Sequence, residues 1–401
     1  MPHVLTNIRI LEACDGRGPI PDAALAWDED GRIVFADAAK HLPTHYREAT
    51  CLDAHGALVV PGLVDCHTHL AFAGWRADEF TERCRGATYA EIAARGGGIA
   101  KTVRLTRAAS EDELLARARG FLQQMLRLGV TTVECKSGYG LTLEDELKLL
   151  RVYRRLQQEC RGTLVSTFLG AHVVPPEYRD RRAEYVQLVC DRMIPAAAAE
   201  RLARFCDVFI EAGAFRVDEA RAIFAAGQRH GLRPKLHADQ LSDSGGASLA
   251  AEVGAISADH LEHASDAGLK AMAQAGVIAV LLPFAALYLN QPPLDARRCL
   301  AAGVPVAVAT DFNPGSAPSY HLPLAMTLAC TMSHLTPALA LRGATITAAK
   351  AIGVEGEVGS LEPGKRADFV LLDAESVEHW LYHVQTNAVR SVFVRGERVG
   401  P

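Results

Sequence analysis

Along the middle of the chain, short apolar runs alternate with longer stretches in which apolar residues recur every three or four positions. Eight of the runs have strand character: Leu63–Asp65, Thr131–Cys135, Leu164–Leu169, Val208–Ile210, Pro234–His237, Ala255–Asp259, Val277–Leu282 and Val304–Ala309. Between them lie amphipathic helices. Ser110-Glu111-Asp112-Glu113 is a capping box that opens an apolar-periodic run to Leu128, with Gly129 as its stop. Thr142-Leu143-Glu144-Asp145 opens another run, which reaches Cys160. Eight βα units predict the α/β class and a (β/α)₈ barrel, over residues 59–358. The competing fold, a doubly wound open sheet, would carry a Gly-rich phosphate loop after its first strand. Gly96-Gly97-Gly98 follows no strand. That stretch and Tyr89 belong to the long connection after strand one, which is expected to cover the top of the barrel.

The two ends have a different texture. Leu5 to Leu11 is β-rich, and Ala24–Trp27 and Arg32–Ala36 flank the turn Asp28-Glu29-Asp30-Gly31. Near the other end, Ala367–Leu372 and Val389–Val394 are strands, the second followed by a turn at Arg395-Gly396-Glu397. Neither end has enough strands for a stable sheet alone. Residues 1–58 and 359–401 are therefore expected to meet in one small β-sandwich.

Composition narrows the field without choosing a function. The chain has 401 residues, 49% hydrophobic and 22% charged, with a net charge of −5. These are globular values, and no basic patch points to nucleic acid or a membrane surface. No apolar run approaches the roughly 18 residues that span a bilayer, and Met1-Pro2-His3-Val4-Leu5 does not read as a secretory signal. The ten cysteines form no C-x-x-C pair, which predicts reduced thiols and a cytoplasmic protein. Cys66 and Cys135 read as small buried hydrophobes.

The strand ends carry the candidate chemistry. After strand one come His67 and His69, two residues apart and so on one face of an extended chain. Strand three ends at His172, strand five at His237-Ala238-Asp239-Gln240, strand six at Asp259-His260, and strand eight at Asp311. His263 reads as helix-side structure. Three imidazoles and a carboxylate suit Zn²⁺, and an iron site is chemically close. His67, His69, His237 and Asp311 are the expected ligands. Asp311 would accept the water proton, and His260 would hold a substrate carbonyl oxygen. A structural zinc site closed by four protein ligands is the contrasting expectation, but it would need no polar groups at the other strand ends.

The paired histidines, the single histidines on strands five and six and the aspartate on strand eight resemble the amidohydrolase superfamily. So do Pro61-Gly62-Leu63-Val64-Asp65 and the tail Gly359–Asp368. Five further motifs narrow the resemblance: Phe72-Ala73-Gly74-Trp75-Arg76, Glu134–Gly140, Thr167–His172, His237–Gln240 and Thr310–Ser316. They are similar to the branch that hydrolyses 4-imidazolone-5-propanoate to N-formimidoyl-L-glutamate in histidine degradation. The resemblance implies one Zn²⁺ or Fe³⁺ per subunit and a small-molecule substrate. It also implies a substrate pocket of Arg76, Tyr139, His172, Gln240, Asn313, Gly315 and Ser316. A homodimer is expected, since such barrels often pair. The alternative within the superfamily is a cytosine- or guanine-type deaminase, which has no use for an arginine that clamps a carboxylate. Two departures matter. Some relatives carry Glu where this chain has Gln240. Gln240 therefore joins the catalytic residues without being able to take a proton, and that role falls to Asp311. Dinuclear relatives use a carboxylated lysine at the end of strand four, where this chain reads Phe209-Ile210-Glu211-Ala212-Gly213. That implies a single ion, with Glu211 in a supporting role.

Overall fold

The computed structural model describes residues 3–400, without the side chains of residues 47, 48, 89, 90 and 93. It contains two sheets of eight strands each. The chain begins in the terminal sheet with β1 (His3–Leu11), β2 (Ile20–Trp27), β3 (Ile33–Ala38), β4 (Thr50–Asp53) and β5 (Leu58–Pro61). It then runs through β6 (Leu63–Thr68), β7 (Val130–Lys136), β8 (Thr163–Ala171), β9 (Phe205–Ile210), β10 (Arg233–Ala238), β11 (Ser257–His260), β12 (Ile278–Leu281) and β13 (Val306–Val308). These eight are parallel and paired in sequence order. β6 and β13 close the ring: Asp311 N donates to His67 O and His69 N to Phe312 O. At the same seam, the Asp65 carboxylate accepts from the backbone and hydroxyl of Thr310. All eight expected strands are present. They were readable because parallel strands are buried on both faces and so appear as continuous apolar runs.

Helices pack outside the strands. The connection after β6 is not a bare loop. It folds as α1 (Ala77–Cys84), α2 (Tyr89–Ala94) and α3 (Ile99–Ala108). α4 (Glu111–Arg127) starts at the expected capping box, with Ser110 accepting from Glu113 N and the Glu113 carboxylate accepting from Ser110 N. α5 (Leu143–Glu159) starts at Thr142, whose hydroxyl accepts from Asp145 N.

β14 (Phe369–Leu372), β15 (Val389–Val394) and β16 (Glu397–Gly400) return to the terminal sheet. There β14 pairs antiparallel with β5, so the two ends of the chain meet in one sheet of order β16-β15-β14-β5-β1-β2-β3. That sheet forks at β1, whose first half pairs with β4 and second half with β5. The fork lets it curl over a core of its own, centred on Trp27, Phe369 and Phe393. Gly396 turns there with φ +74°, and a Cβ at that position would stand 2.1 Å from Trp27 Nε1. Cys66 and Cys135 are fully buried, as expected of small hydrophobes.

Candidate metal centre and active site

The strand-end residues converge at the C-terminal mouth of the barrel, where barrels carry chemistry. His67 and His69 leave β6 on the same face, and His237 approaches from β10. Their ring nitrogens lie within 4.8 Å of one another, and the same holds for His67, His260 and Asp311. His67 is common to both groups. Asp311 Oδ1 stands 3.4 Å from Nε2 of His67 and 3.4 Å from Nε2 of His69. Three of these strand ends are bent sharply inward: Asp239 (φ 51°), His260 (φ 79°) and Asp311 (φ 54°) adopt the left-handed backbone that non-glycine residues avoid. Such strain collects where a side chain must be aimed.

The protonation pattern follows from the second partners of the imidazoles. A carboxylate only accepts, so His67 Nδ1 donates to Asp259 Oδ2 at 2.6 Å and His237 Nδ1 donates to Asp207 Oδ1 at 3.0 Å. In the neutral ring this leaves each Nε2 with a lone pair. His237 Nε2 and His69 Nε2 face each other at 3.4 Å. His67 Nε2, though fully buried, makes no hydrogen bond. Burial pushes His69 down to about 4 and His237 down to about 3. It also pushes His172 well below the usual histidine range. Burial and Lys136 work against protonating His67, but Asp259 and Asp311 outweigh them and raise it. Burial would raise Asp311, yet His67 and His69 hold it well below the ordinary carboxylate range. The lone pairs of His69 and His237 and the ionised Asp311 carboxylate therefore gather around His67 in two groups that share it, and a bound cation is what such a donor set fits, taking the place of a proton on His67.

One cavity opens on this cluster, and the expected site residues line it except two. His67 lies behind the wall. Gly315 meets the guanidinium of Arg76 instead: a Cβ on Gly315 would fall 1.6 Å from Arg76 Nη2. Arg76 is itself almost wholly buried. Its Nη1 donates to Thr102 Oγ1 at 2.8 Å, and its Nε stands 3.4 Å from Glu79 Oε2. Tyr139 sits between His69 and His172, with ring centres 5.5 and 5.4 Å away. His172 Nδ1 donates to Gly138 O at 3.0 Å, which leaves its Nε2 as an acceptor. The amide of Asn313 is largely committed to its own turn. It donates to Asp311 O and accepts from the backbone of Gly315 and Ser316. Gln240 and Ser316 complete the polar lining. His263 is exposed and outside the site.

Sequence reasoning missed several parts of this site. Ile99, Phe209, Leu241 and Leu289 supply apolar wall. Ile99 opens α3, so the connection after β6 does reach the cavity; the side chain of Tyr89 lies outside the described residues. Glu211 braces the segment after Gln240, accepting from Leu241 N at 2.7 Å and from the Ser242 hydroxyl. Glu146 accepts from the backbone of Gly138, Gly140 and Leu141 and so holds the Tyr139 turn. Most of all, the pattern hid a layer of buried charge beneath the imidazoles: Glu134, Lys136, Asp207, Lys235 and Asp259. The available signal was a pair of ionisable residues two apart in apolar strands, Glu134 with Lys136 and Lys235 with His237.

Residues 58–399 match the Amidohydrolase family. Among curated proteins, the imidazolonepropionase of Symbiobacterium thermophilum is 52% identical over 385 residues, 95% of this chain and 90% of its own. That of Cupriavidus necator is 50% identical over 393 residues, 97% of this chain and 94% of its own. Among solved structures, a zinc-complexed atrazine chlorohydrolase from Arthrobacter aurescens shares the fold with a TM-score of 0.75. It is 15% identical, with 99% of this chain and 94% of that one covered. With half its residues shared over nearly its whole length, the chain belongs to the amidohydrolase family and, within it, to the imidazolonepropionases.

Proposed function

We propose that the chain hydrolyses 4-imidazolone-5-propanoate to N-formimidoyl-L-glutamate in histidine degradation, with one ion, Zn²⁺ or Fe³⁺, held by His67, His69, His237 and Asp311. The observation that carries the reading is a single cavity with a convergent nitrogen and oxygen donor set at its floor and a buried arginine in its wall. When bound, the ion supplies Lewis acidity toward the water and carbonyl oxygen of an amide hydrolysis.

The chain's own groups do the rest. Arg76 binds the propanoate carboxylate through the edge of its fork not spent on Thr102 and Glu79. Tyr139 and His172 bind the ring, with His172 Nε2 accepting a ring N–H. Asn313, Gly315 and Ser316 shape the side of the pocket next to Asp311. His260, whose Nδ1 makes no hydrogen bond, holds the carbonyl oxygen as negative charge develops on it. Asp311 accepts a proton from the attacking water and returns it to the ring nitrogen as the carbonyl–nitrogen bond breaks. Gln240 orients by hydrogen bonding only. The absence of a lysine at the end of β9 supports a single ion. There, Glu211 is spent on the segment that follows Gln240. A cytoplasmic location and a homodimer go with this reading, and cell fractionation and sedimentation check them.

The test is direct. Protein reconstituted with Zn²⁺ or Fe³⁺ should consume 4-imidazolone-5-propanoate and yield N-formimidoyl-L-glutamate, and a chelator should stop it until metal is restored. Loaded protein that leaves the substrate untouched would refute the reading. Metal analysis of protein from its native cell decides between zinc and iron.

A further inference from the structure

Beneath the imidazoles lies a buried cation that the proposed chemistry does not use. Lys136 ends β7, and its ammonium group is fully buried. It donates to Asp207 Oδ2 at 2.8 Å and to Glu134 Oε1 at 2.9 Å, and it stands 3.6 Å from Asp259 Oδ2. The two aspartates are the same ones that hold the ligand imidazoles. The other oxygen of Asp207 takes the Nδ1 proton of His237, and Asp259 Oδ2 takes that of His67. Asp207 comes from β9, Asp259 from β11 and Lys136 from β7, so no local turn fixes one against another. The other buried lysine does not duplicate this arrangement. Lys235 Nζ bonds Ser257 Oγ at 2.6 Å and Ala351 O, and stands 3.8 Å from Asp259.

We propose that Lys136 is a positioning residue for the metal centre: one ammonium hydrogen-bonds the carboxylate that aims His237 and ion-pairs at 3.6 Å with the one that aims His67, which Ser257 Oγ also holds at 2.7 Å. The inference rests on the reading that an ion is bound here, and not on which substrate is turned over. An imidazole directs its Nε2 only as firmly as the acceptor of its Nδ1–H is held, and removing such an outer partner typically weakens metal binding ~10–100-fold. Here one side chain stands behind two ligands. Lys136 is also unsuited to carry a carboxylated bridge to a second ion, because carboxylates already surround its nitrogen.

Zinc affinity of the metal-free protein, measured by competition with a chromophoric chelator, is the readout, with the melting temperature recorded in parallel. Lys136→Met should weaken Zn²⁺ binding ~10–100-fold in protein that still folds. A folded Lys136→Met protein with the wild-type zinc constant overturns the proposal, since a merely structural lysine would change only the melting temperature. Should that variant fail to fold, Lys136→Met combined with Glu134→Gln restores the charge balance and leaves both aspartates in place. Its zinc constant is compared with that of Glu134→Gln alone, and equality overturns the proposal. Normal zinc binding without imidazolone turnover would remove the substrate reading and leave this one standing. A wild-type chain that takes up no ion removes both.

Discussion

Two eight-stranded sheets share this chain, and their interiors are opposites. The terminal sheet closes over rings: Phe369 and Phe393 stack at 4.4 Å, and Trp27 lies 5.3 Å from Phe369. The barrel encloses Glu134, Lys136, Asp207, Lys235 and Asp259, each with no exposure to solvent. Taking a charge out of water costs several kcal/mol even after relaxation, and apolar replacements of buried ion pairs often stabilise. On stability alone the barrel interior is the worse solution. The proposed ion site accounts for it, since four imidazoles and a carboxylate gather at the mouth above it.

The widest separation between the two interiors should come from one substitution in each. His237→Ala removes one nitrogen of the proposed metal shell and leaves a small hole at the mouth. It should abolish the several kcal/mol of Lewis-acid assistance, about 10³–10⁴-fold in kcat/KM, while the far-ultraviolet circular dichroism stays native. Trp27→Ala should do the reverse. Losing a large buried aromatic costs about 3–5 kcal/mol, read as a lower denaturation midpoint, with kcat/KM unchanged in protein kept folded. A Trp27 variant with damaged turnover would show that the two sheets do not divide the work.

A smaller difference should appear with pH in metal-free protein. In the unfolded chain His69 and His237 take up protons near the ordinary histidine value of ~6.5. Folded, burial holds them near 4 and 3. Between those limits the unfolded state binds more protons at these two residues, so their share of the stability falls as pH falls from 6.5 toward 4. His69 alone accounts for about 3 kcal/mol. The carboxylates of Asp207 and Asp259 are held low, so their contribution is lost only below the ordinary carboxylate range, outside this window. The rings at the centre of the terminal sheet, Trp27, Phe369 and Phe393, carry no titratable group. In the same window Asp65, which burial raises to about 7, and His67, also raised, act with the opposite sign. The histidine share is therefore read by difference: in melting curves, metal-free wild type should lose stability relative to His69→Gln as pH falls from 7 to 4.5. Parallel profiles for the two proteins would mean that His69 is not buried neutral.

The same contrast explains what could be read from residues alone. The eight strands were legible because burial on both faces writes an unbroken apolar run. The starts of α4 and α5 were legible because Ser110 with Glu113 and Thr142 with Asp145 act within one turn. His67 and His69 were legible because a shared face needs only a spacing of two. The charged layer was not. Lys136 meets Asp207 across 71 positions and His67 meets Asp259 across 192, and nothing local records such a pairing. The fork in β1 was hidden for the same reason, since it depends on which of two later strands reaches each half. The three helices after β6 were not legible as helices because their amphipathic periods are short. Their order comes from contacts such as Glu79 accepting from Gly98 N.

The smallest effect expected is also the one that separates this chain from a deaminase on the same scaffold. Arg76 makes no contact with the metal cluster; its surroundings are Thr102, Glu79 and Gly315. A charge-assisted hydrogen bond contributes about 1.5–3 kcal/mol. Arg76→Ala should therefore raise KM for the carboxylated substrate ~10–100-fold and change kcat less. Gly315→Ala should move KM in the same direction without touching the charge, because its Cβ would occupy the place of the guanidinium and force the fork off its bearing. The pair of variants isolates position from presence. If the alanine at 315 alone leaves KM unchanged, Arg76 has room to adjust and Gly315 has no part in reading the substrate. If both leave it unchanged, the wall above the cluster does not bind a carboxylate, and the arginine is buried for the packing of α1 against α3.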